Sequence, residues 1–354
     1  SFILRRPNEK NFHLVDGSEK LGEFLSKLEG KKQFGLDLET NESKWARERD
    51  QPDPVSNEIA GIAVTYKDDN EEFITYYIPT CGHKASGVSY KDFGVGSWTD
   101  QTYLVCALLQ PHIRRAEVFM HNAKFDIETF DKYGVKFRKF FCTYLAGYAL
   151  REETLGLKEI SKRRYSISMY TLDDVIDIKK QQIRDAPLAL VFIYGCADSD
   201  YCFRYGLNAK EMLKEEGSEE FYKMQLALLP WVIEEELTGI ETDADKFEEI
   251  DPYFKDRIGE IEQGIFAEAG YEFNMNSAQQ KSKLLFEDWG LPETPLTVSG
   301  FPTTDKGELE KIAYADPIIE TFMEHGSLTT IRSTFIKGIP KLVNPLTWRL
   351  HANI

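Results

Sequence analysis

The stretch "FGLDLET", Phe34–Thr40, reads as an apolar β-strand interrupted by two acids, Asp37 and Glu39. Residues two apart on a strand point to the same face, so both carboxylates share one side of a sheet. Two like charges there repel, and each loses hydration if the sheet is covered. A divalent cation between them removes both costs, and an all-oxygen donor set suits Mg2+ or Mn2+. A solvated pair of acids at an exposed strand end fits the same letters, and the stretch alone leaves both readings open.

Working outward, "IAGIAVTYK" (Ile59–Lys67) and "EFITYYIP" (Glu72–Pro79) read as two further strands, with a hairpin turn near Lys67–Asn70. The polar, proline-broken run between the first two strands predicts a long surface loop, Ser43–Asn57 included. "QTYLVCALLQPHI" predicts a helix ended by Pro111, and "AEVFMHN" a fourth strand running into a loop at Asn122. "LGLKEISKRRY" and the longer "APLALVFIYGCADSDYCFRYGL" read as helices. Beyond about residue 210 the pattern becomes mostly helical, which predicts two domains, 1–210 and 211–354.

The composition is that of a globular chain: 354 residues, 42% hydrophobic and 29% charged. No apolar run approaches the ~20 residues of a membrane helix, and the short apolar start after Ser1 does not read as a signal peptide. A start at Ser1 rather than Met suggests a cleaved chain or an internal fragment. Five cysteines with no CxxC pair point to reduced thiols rather than a zinc site or disulfide framework. The net charge of −16 argues against broad electrostatic capture of nucleic acid, while leaving room for a local basic groove or a carboxylate metal site.

Two more acidic positions stand out. In "FMHNAKFDIETF", Asn122 suits a helix N-cap and Asp126 falls in the first helical turn, where the macrodipole by itself would favour an acid. In "IYGCADSDYC", Tyr194 and Asp198 are four apart and share a helical face. A phenol beside a metal-bound carboxylate can orient a water; a half-buried tyrosine next to a surface acid would look the same.

Taken in order, DxE on a strand, NxxxD after a later strand and YxxxD on a helix resemble the DEDD exonucleases of the tyrosine subtype, over roughly residues 25–205. The resemblance implies an α/β fold: a ribonuclease H-like mixed sheet with flanking helices. It implies two divalent metal ions, Mg2+ or Mn2+, about 4 Å apart, that activate water and stabilise the leaving 3′ oxygen. Asp37 would bridge them, Glu39 and Asp198 would complete one site, Asp126 would hold the second ion, and Tyr194 would orient the water. Asn122 and Phe125 would touch the terminal nucleotides; His121 reads better as a histidine at a strand end. The family often carries Asp-Thr where this chain has Cys142-Thr143.

The second half narrows the family. "ELTGIETD", "AGYEFNMNSAQQKSKLLFEDWGLP", "PTTDKGELEKIA", "IRSTFIKGIP" and "NPLTWRLHANI" follow one another as in the thumb and the approach to the palm of family A DNA polymerases, the bacterial polymerase I family. This implies a mostly α-helical thumb, with Asn276, Ser277, Lys281, Arg332, Ser333, Thr334, Lys337 and Arg349 set to grip a DNA backbone, and Phe273 and Phe335 in the core. Where the family has Thr-Gly-Arg, this chain has Thr347-Trp348-Arg349, which puts the local turn in doubt. The resemblance implies a monomeric proofreading 3′→5′ exonuclease that acts on single-stranded 3′ ends, with primer-template duplex at the thumb. The palm and fingers are expected elsewhere, outside this stretch. The setting implied is a bacterial cytoplasm, with phage and organellar sources open. A ribonuclease D-like enzyme acting on RNA and a non-catalytic DNA-holding scaffold are the competing readings.

Overall fold

The computed structural model describes residues 4–43, 46 and 55–353. The chain divides into two compact units, residues 1–238 with 352–354, and residues 239–351. The boundary expected near residue 210 falls inside a helix, Leu188–Glu215. The later turns of that helix stay with the first unit because Ala209 and Leu213 are buried among Phe141, Ile160 and Tyr222. The loop expected over Ser43–Asn57 lies mostly outside the described residues.

The first unit is built on a six-stranded mixed sheet: β1 (Phe12–Leu14), β2 (Gln33–Asn41), β3 (Glu58–Lys67), β4 (Phe73–Pro79), β5 (Glu117–Met120) and β6 (Phe140–Cys142), in the order β1-β4-β3-β2-β5-β6. β2 is antiparallel to β3 and parallel to β5, so "FGLDLET" lies in the sheet interior. The expected hairpin joins β3 to β4, closed by Asp68, whose Oδ1 accepts from the backbone of Asn70 and Glu72. β1 and β6 have three residues each, too few for an alternating pattern to show.

Both faces of this sheet are covered. α1 (Ser18–Leu28) and α2 (Trp98–Arg115) pack Leu21, Phe24, Leu28, Val105, Leu109 and Ile113 against Phe34, Leu36 and Leu38 of β2. Each such side chain contributes roughly 1.5–3 kcal/mol by leaving water. α2 does not stop at Pro111; it continues to Arg115. Pro111 is solvent-exposed, while Ile113 two residues on is fully buried, and that burial holds the helix past the missing backbone donor.

The opposite face receives the long helix. Continuing the helix numbering, α3 is Ala123–Asp131, α4 Thr143–Ala149, α5 Leu157–Tyr165, α6 Leu188–Glu215 and α7 Glu219–Thr238. α6 approaches β2 so closely that a Cβ on Gly35 would lie 2.6 Å from Phe203 Cβ and 2.9 Å from the Ser199 carbonyl oxygen. Gly35, Asp37 and Glu39 share that face by strand alternation.

The second unit holds α8 (Ala244–Ala269), α9 (Ala278–Ser282) running into a π-helical turn Lys283–Asp288, α10 (Lys306–Ile312), and α11 (Ile318–Thr330) running into a π-helical turn Ile331–Ile336. Ile261, Ile265, Leu284, Leu285, Ile319 and Phe322 form its core. Phe273 packs on that core, whereas Phe335, expected there too, is 51% exposed because Ile336 takes the inward position. A small sheet, β7 (Ile240–Glu241), β8 (Val343–Asn344) and β9 (Arg349–Leu350), completes the unit.

Candidate active site

Asp37 and Glu39 project from β2 toward α6, and α6 presents Asp198 to them. One oxygen from each of the three lies within 4.8 Å of the others. Small residues permit this approach. A Cβ on Gly195 would meet Tyr77 Cε2 at 2.9 Å and Glu39 Oε1 at 3.2 Å. A register shift between Glu39 and Thr40 bends the strand where the acids sit. Asp126, in the first turn of α3, stands outside this group of three but faces Asp37.

The electrostatics are those of a site short of positive charge. Burial, then Asp198 opposite, pushes Asp37 well above the usual carboxylate range. Glu39 is raised by burial and by Asp37 and Asp198; Asp126 by burial and Asp37. Asp198 is raised by burial although Lys158 and Tyr194 beside it favour its ionised form. The Tyr194 phenol is raised by burial and by the same acids. Asp198 Oδ1 is buried without a hydrogen-bond partner. Converging hard oxygens, unfavourable ionisation and an orphaned carboxylate oxygen fit a divalent cation, which would relieve all three conditions at once.

The other expected residues sort as follows. Asn122 stands at the N-terminus of α3 in a left-handed conformation, φ 57° and ψ 53°, which asparagine tolerates, and its side chain makes no cap bond. Instead it lines a cavity of about 470 Å³ with Lys124, Tyr144, Leu145, Gln225 and Leu228. Phe125 is half-buried on the same helix. His121 hydrogen-bonds Thr143 Oγ1 at 2.8 Å, and burial followed by the Lys158 charge brings it down to about 4, so it is neutral near pH 7. Cys142 is a buried thiol that starts α4 and takes no part in the acidic cluster.

A family described as 3'-5' exonuclease matches residues 89–213, and one described as DNA polymerase family A matches residues 244–354. The chain is 26% identical over 357 residues to DNA polymerase I of Chloroflexus aurantiacus, covering 96% of this chain and 35% of that protein. It is 30% identical over 241 residues to DNA polymerase I of Treponema pallidum, covering 66% of this chain and 24% of that one. The two family matches and the DNA polymerase I relatives over most of the chain support a family A polymerase exonuclease and thumb region. The chain spans about a third of the length of the first of these relatives. Its fold is shared with the POL domain of Pol1 from M. smegmatis, solved in complex with DNA primer-template and dNTP, at a TM-score of 0.70 and 17% identity, covering 96% of this chain and 52% of that one. The exonuclease match begins at residue 89, so Asp37 and Glu39 lie outside it and rest on the geometry above.

In the second unit, the side chains expected to contact DNA are largely engaged within the unit. Arg332 donates to both oxygens of Asp251, at 2.6 and 3.0 Å, and Lys337 lies 3.8 Å from the same carboxylate. Arg349 donates to the Gly239 carbonyl and ties β9 to the start of β7. Ser277 caps α9, accepting from the Gln280 amide, and Ser333 donates to the Thr330 carbonyl. Lys281 is half-buried, and burial brings its ammonium below the usual lysine range. Asn276 and Thr334 are exposed. Trp348 occupies a left-handed position, φ 57°, in the turn before β9.

Three residues of the site escaped the sequence reading. Gly35 and Gly195 matter for what they lack, and nothing in a strand or helix pattern signals a close approach from elsewhere in the chain. Lys158 is the third. Its Nζ is 3.1 Å from the Tyr194 hydroxyl and 3.2 Å from Asp198 Oδ2. A lysine on a helix rich in Lys and Arg gives no sign that it turns inward.

Proposed function

We propose that residues 1–238 carry a 3′→5′ exonuclease that hydrolyses the terminal phosphodiester of DNA and serves as the proofreading activity of a family A DNA polymerase. The observation that carries this reading is the convergence of Asp37, Glu39 and Asp198, drawn from a strand and a helix far apart in sequence, with their oxygens within 4.8 Å. Asp37, Glu39 and Asp198 would hold divalent ions, Mg2+ or Mn2+, with Asp126 completing the set. Such ions supply a water of lowered pKa and charge neutralisation at the phosphate and the leaving oxygen. Within the chain's own groups, Tyr194, on the Asp198 face of α6, would orient the attacking water. Water adds to phosphorus, the bond to the 3′ oxygen breaks, and that oxygen leaves with a proton, giving a nucleoside monophosphate and a strand one nucleotide shorter.

Recognition would rest on backbone and stacking rather than base edges, as suits a single-stranded 3′ end. Asn122 and Phe125 would meet the last nucleotides, and the cavity beside Asn122 offers them space. In the thumb, Asn276, Ser277, Lys281, Arg332, Ser333, Thr334, Lys337 and Arg349 are the proposed duplex contacts. For Arg332 and Arg349 that role requires exchanging the partners they now hold. The setting proposed is a monomer in a bacterial or phage-infected cytoplasm.

The test is a 5′-labelled single-stranded DNA oligonucleotide incubated with Mg2+, Mn2+ or EDTA, the parent beside Asp37→Ala and Asp198→Ala. A ladder shortening from the 3′ end, abolished by EDTA and reduced about a thousandfold or more in both variants, is the expected result. DNA retained without shortening would favour the scaffold reading. Preferential shortening of an RNA oligonucleotide would favour the ribonuclease D-like one.

A further inference from the structure

The acidic cage already holds a cation of the protein's own. Lys158 extends from α5 to α6, its Nζ 3.1 Å from the Tyr194 hydroxyl and 3.2 Å from Asp198 Oδ2, and it lies 4.2 Å from the centre of the Tyr194 ring. It thus makes an ion pair, a hydrogen bond and a cation–π contact with the two α6 residues of the site. Its charge also opposes the upward shifts of Asp37 and Glu39. The geometry leaves it an exit. The Lys158 side chain is 28% exposed where that of Asp198 is 13% exposed. A lysine is a compact charge on a flexible four-carbon stem, able to hold a carboxylate in one state and withdraw to water in another.

We propose that Lys158 is a built-in counter-ion that holds Asp198 and Tyr194 in place while the cage is empty of metal and competes with the incoming divalent ion for Asp198. This deepens the metal-site reading and rests on it. An ammonium 3.2 Å from Asp198 Oδ2 repels a divalent ion that enters beside the same oxygen. Metal loading therefore requires the ammonium to retreat, and the cage takes up metal more weakly than its carboxylates alone would allow. In return it stays assembled when metal is scarce, where three converging acids would otherwise drive one another apart. A lysine with a purely structural role predicts the opposite sign: its loss would disorder the ligands and weaken metal binding.

The experiment measures Mn2+ uptake at pH 7 by the intensity of free Mn2+ in electron paramagnetic resonance. It compares the parent with Lys158→Met, Lys158→Arg and Asp37→Asn. Lys158→Met is expected to bind Mn2+ about tenfold more tightly. In EDTA the same variant should melt about 3 °C lower than the parent, a deficit that Mn2+ removes. Lys158→Arg, which keeps the charge, should stay within about threefold of the parent in affinity. Binding by Lys158→Met that is equal to or weaker than the parent's overturns the proposal. Parent binding that survives undiminished in Asp37→Asn overturns the metal-site reading itself, and the proposal with it. A second measurement needs no variant. Acetylation of Lys158 in the parent by an N-hydroxysuccinimide ester, read by peptide mass spectrometry, should rise several-fold when Mn2+ is added. Labelling that stays level or falls overturns the proposal.

Discussion

In residues 1–238, Asp37, Glu39 and Asp198 converge on one another, with Lys158 paired to Asp198 alone of the three, and all three are held above the carboxylate range. In residues 239–351, Asp251 accepts from Nε and Nη2 of Arg332 with Lys337 nearby, and is held below that range. One region leaves charge uncompensated at a cost to stability; the other matches it locally. The difference teaches where to look for chemistry. Matched charges explain themselves as packing, whereas a cluster that folding leaves only partly compensated is a candidate for chemistry.

The contrast can be broken at its tightest point. Gly195→Ala would gain about 1 kcal/mol of helix propensity, but the added methyl meets Tyr77 at 2.9 Å and Glu39 at 3.2 Å. Overpacking of this kind costs about 1–3 kcal/mol and should prevail. Displacing Glu39 by a few tenths of an ångström should also lower exonuclease rate about tenfold. Thermal melts and single-turnover assays on the labelled oligonucleotide check both. Parent-like values would show that the close approach of α6 to β2 is not needed.

The matched region can be unmatched. Asp251→Asn removes the carboxylate that engages Arg332 and Lys337, and affinity for duplex DNA should rise about threefold at low salt. Fluorescence anisotropy across a salt series reads this. Unchanged affinity would mean that Arg332 serves the fold alone.

His121 gives a pH signature beside the cage. Its pKa falls from 6.5 to about 4 on folding, chiefly through burial. The stability it contributes is therefore present above about pH 6.5 and is lost as the pH falls toward 4. His121→Gln should flatten the melting temperature over that window; an unaltered acid slope would locate the acid lability elsewhere.

The last contrast lies at Trp348. A left-handed conformation costs a side-chain-bearing residue about 1–2 kcal/mol, and the side chain is 71% exposed with little packing to lose. Trp348→Gly should stabilise the second unit by about 1 kcal/mol, seen as a higher denaturation midpoint at unchanged slope. A lower midpoint would reveal packing by the indole.

Much of this was legible in the letters. "FGLDLET" determined a strand with two acids on one face, because alternation with period two is local geometry. "YGCAD" determined that Tyr194 and Asp198 share a helix face for the equally local reason of 3.6-residue periodicity. The hairpin after Lys67 followed from its turn residues. The order of the motifs identified the family, and through it the pairing of exonuclease and thumb.

Tertiary structure decided the rest. Pro111 did not end its helix because Ile113 is anchored in a core that the helix does not itself contain. Residue 210 did not divide the units because Ala209 and Leu213 belong to a cluster assembled from distant strands and helices. Phe335 turned outward because Ile336 won the inward place. Arg332 met Asp251, 81 residues away in sequence, and Lys158 met Asp198 across 40. A sequence states which charges exist and which face of an element each occupies; only packing brings elements together, and so only the fold decides which charges are answered and which are left uncompensated.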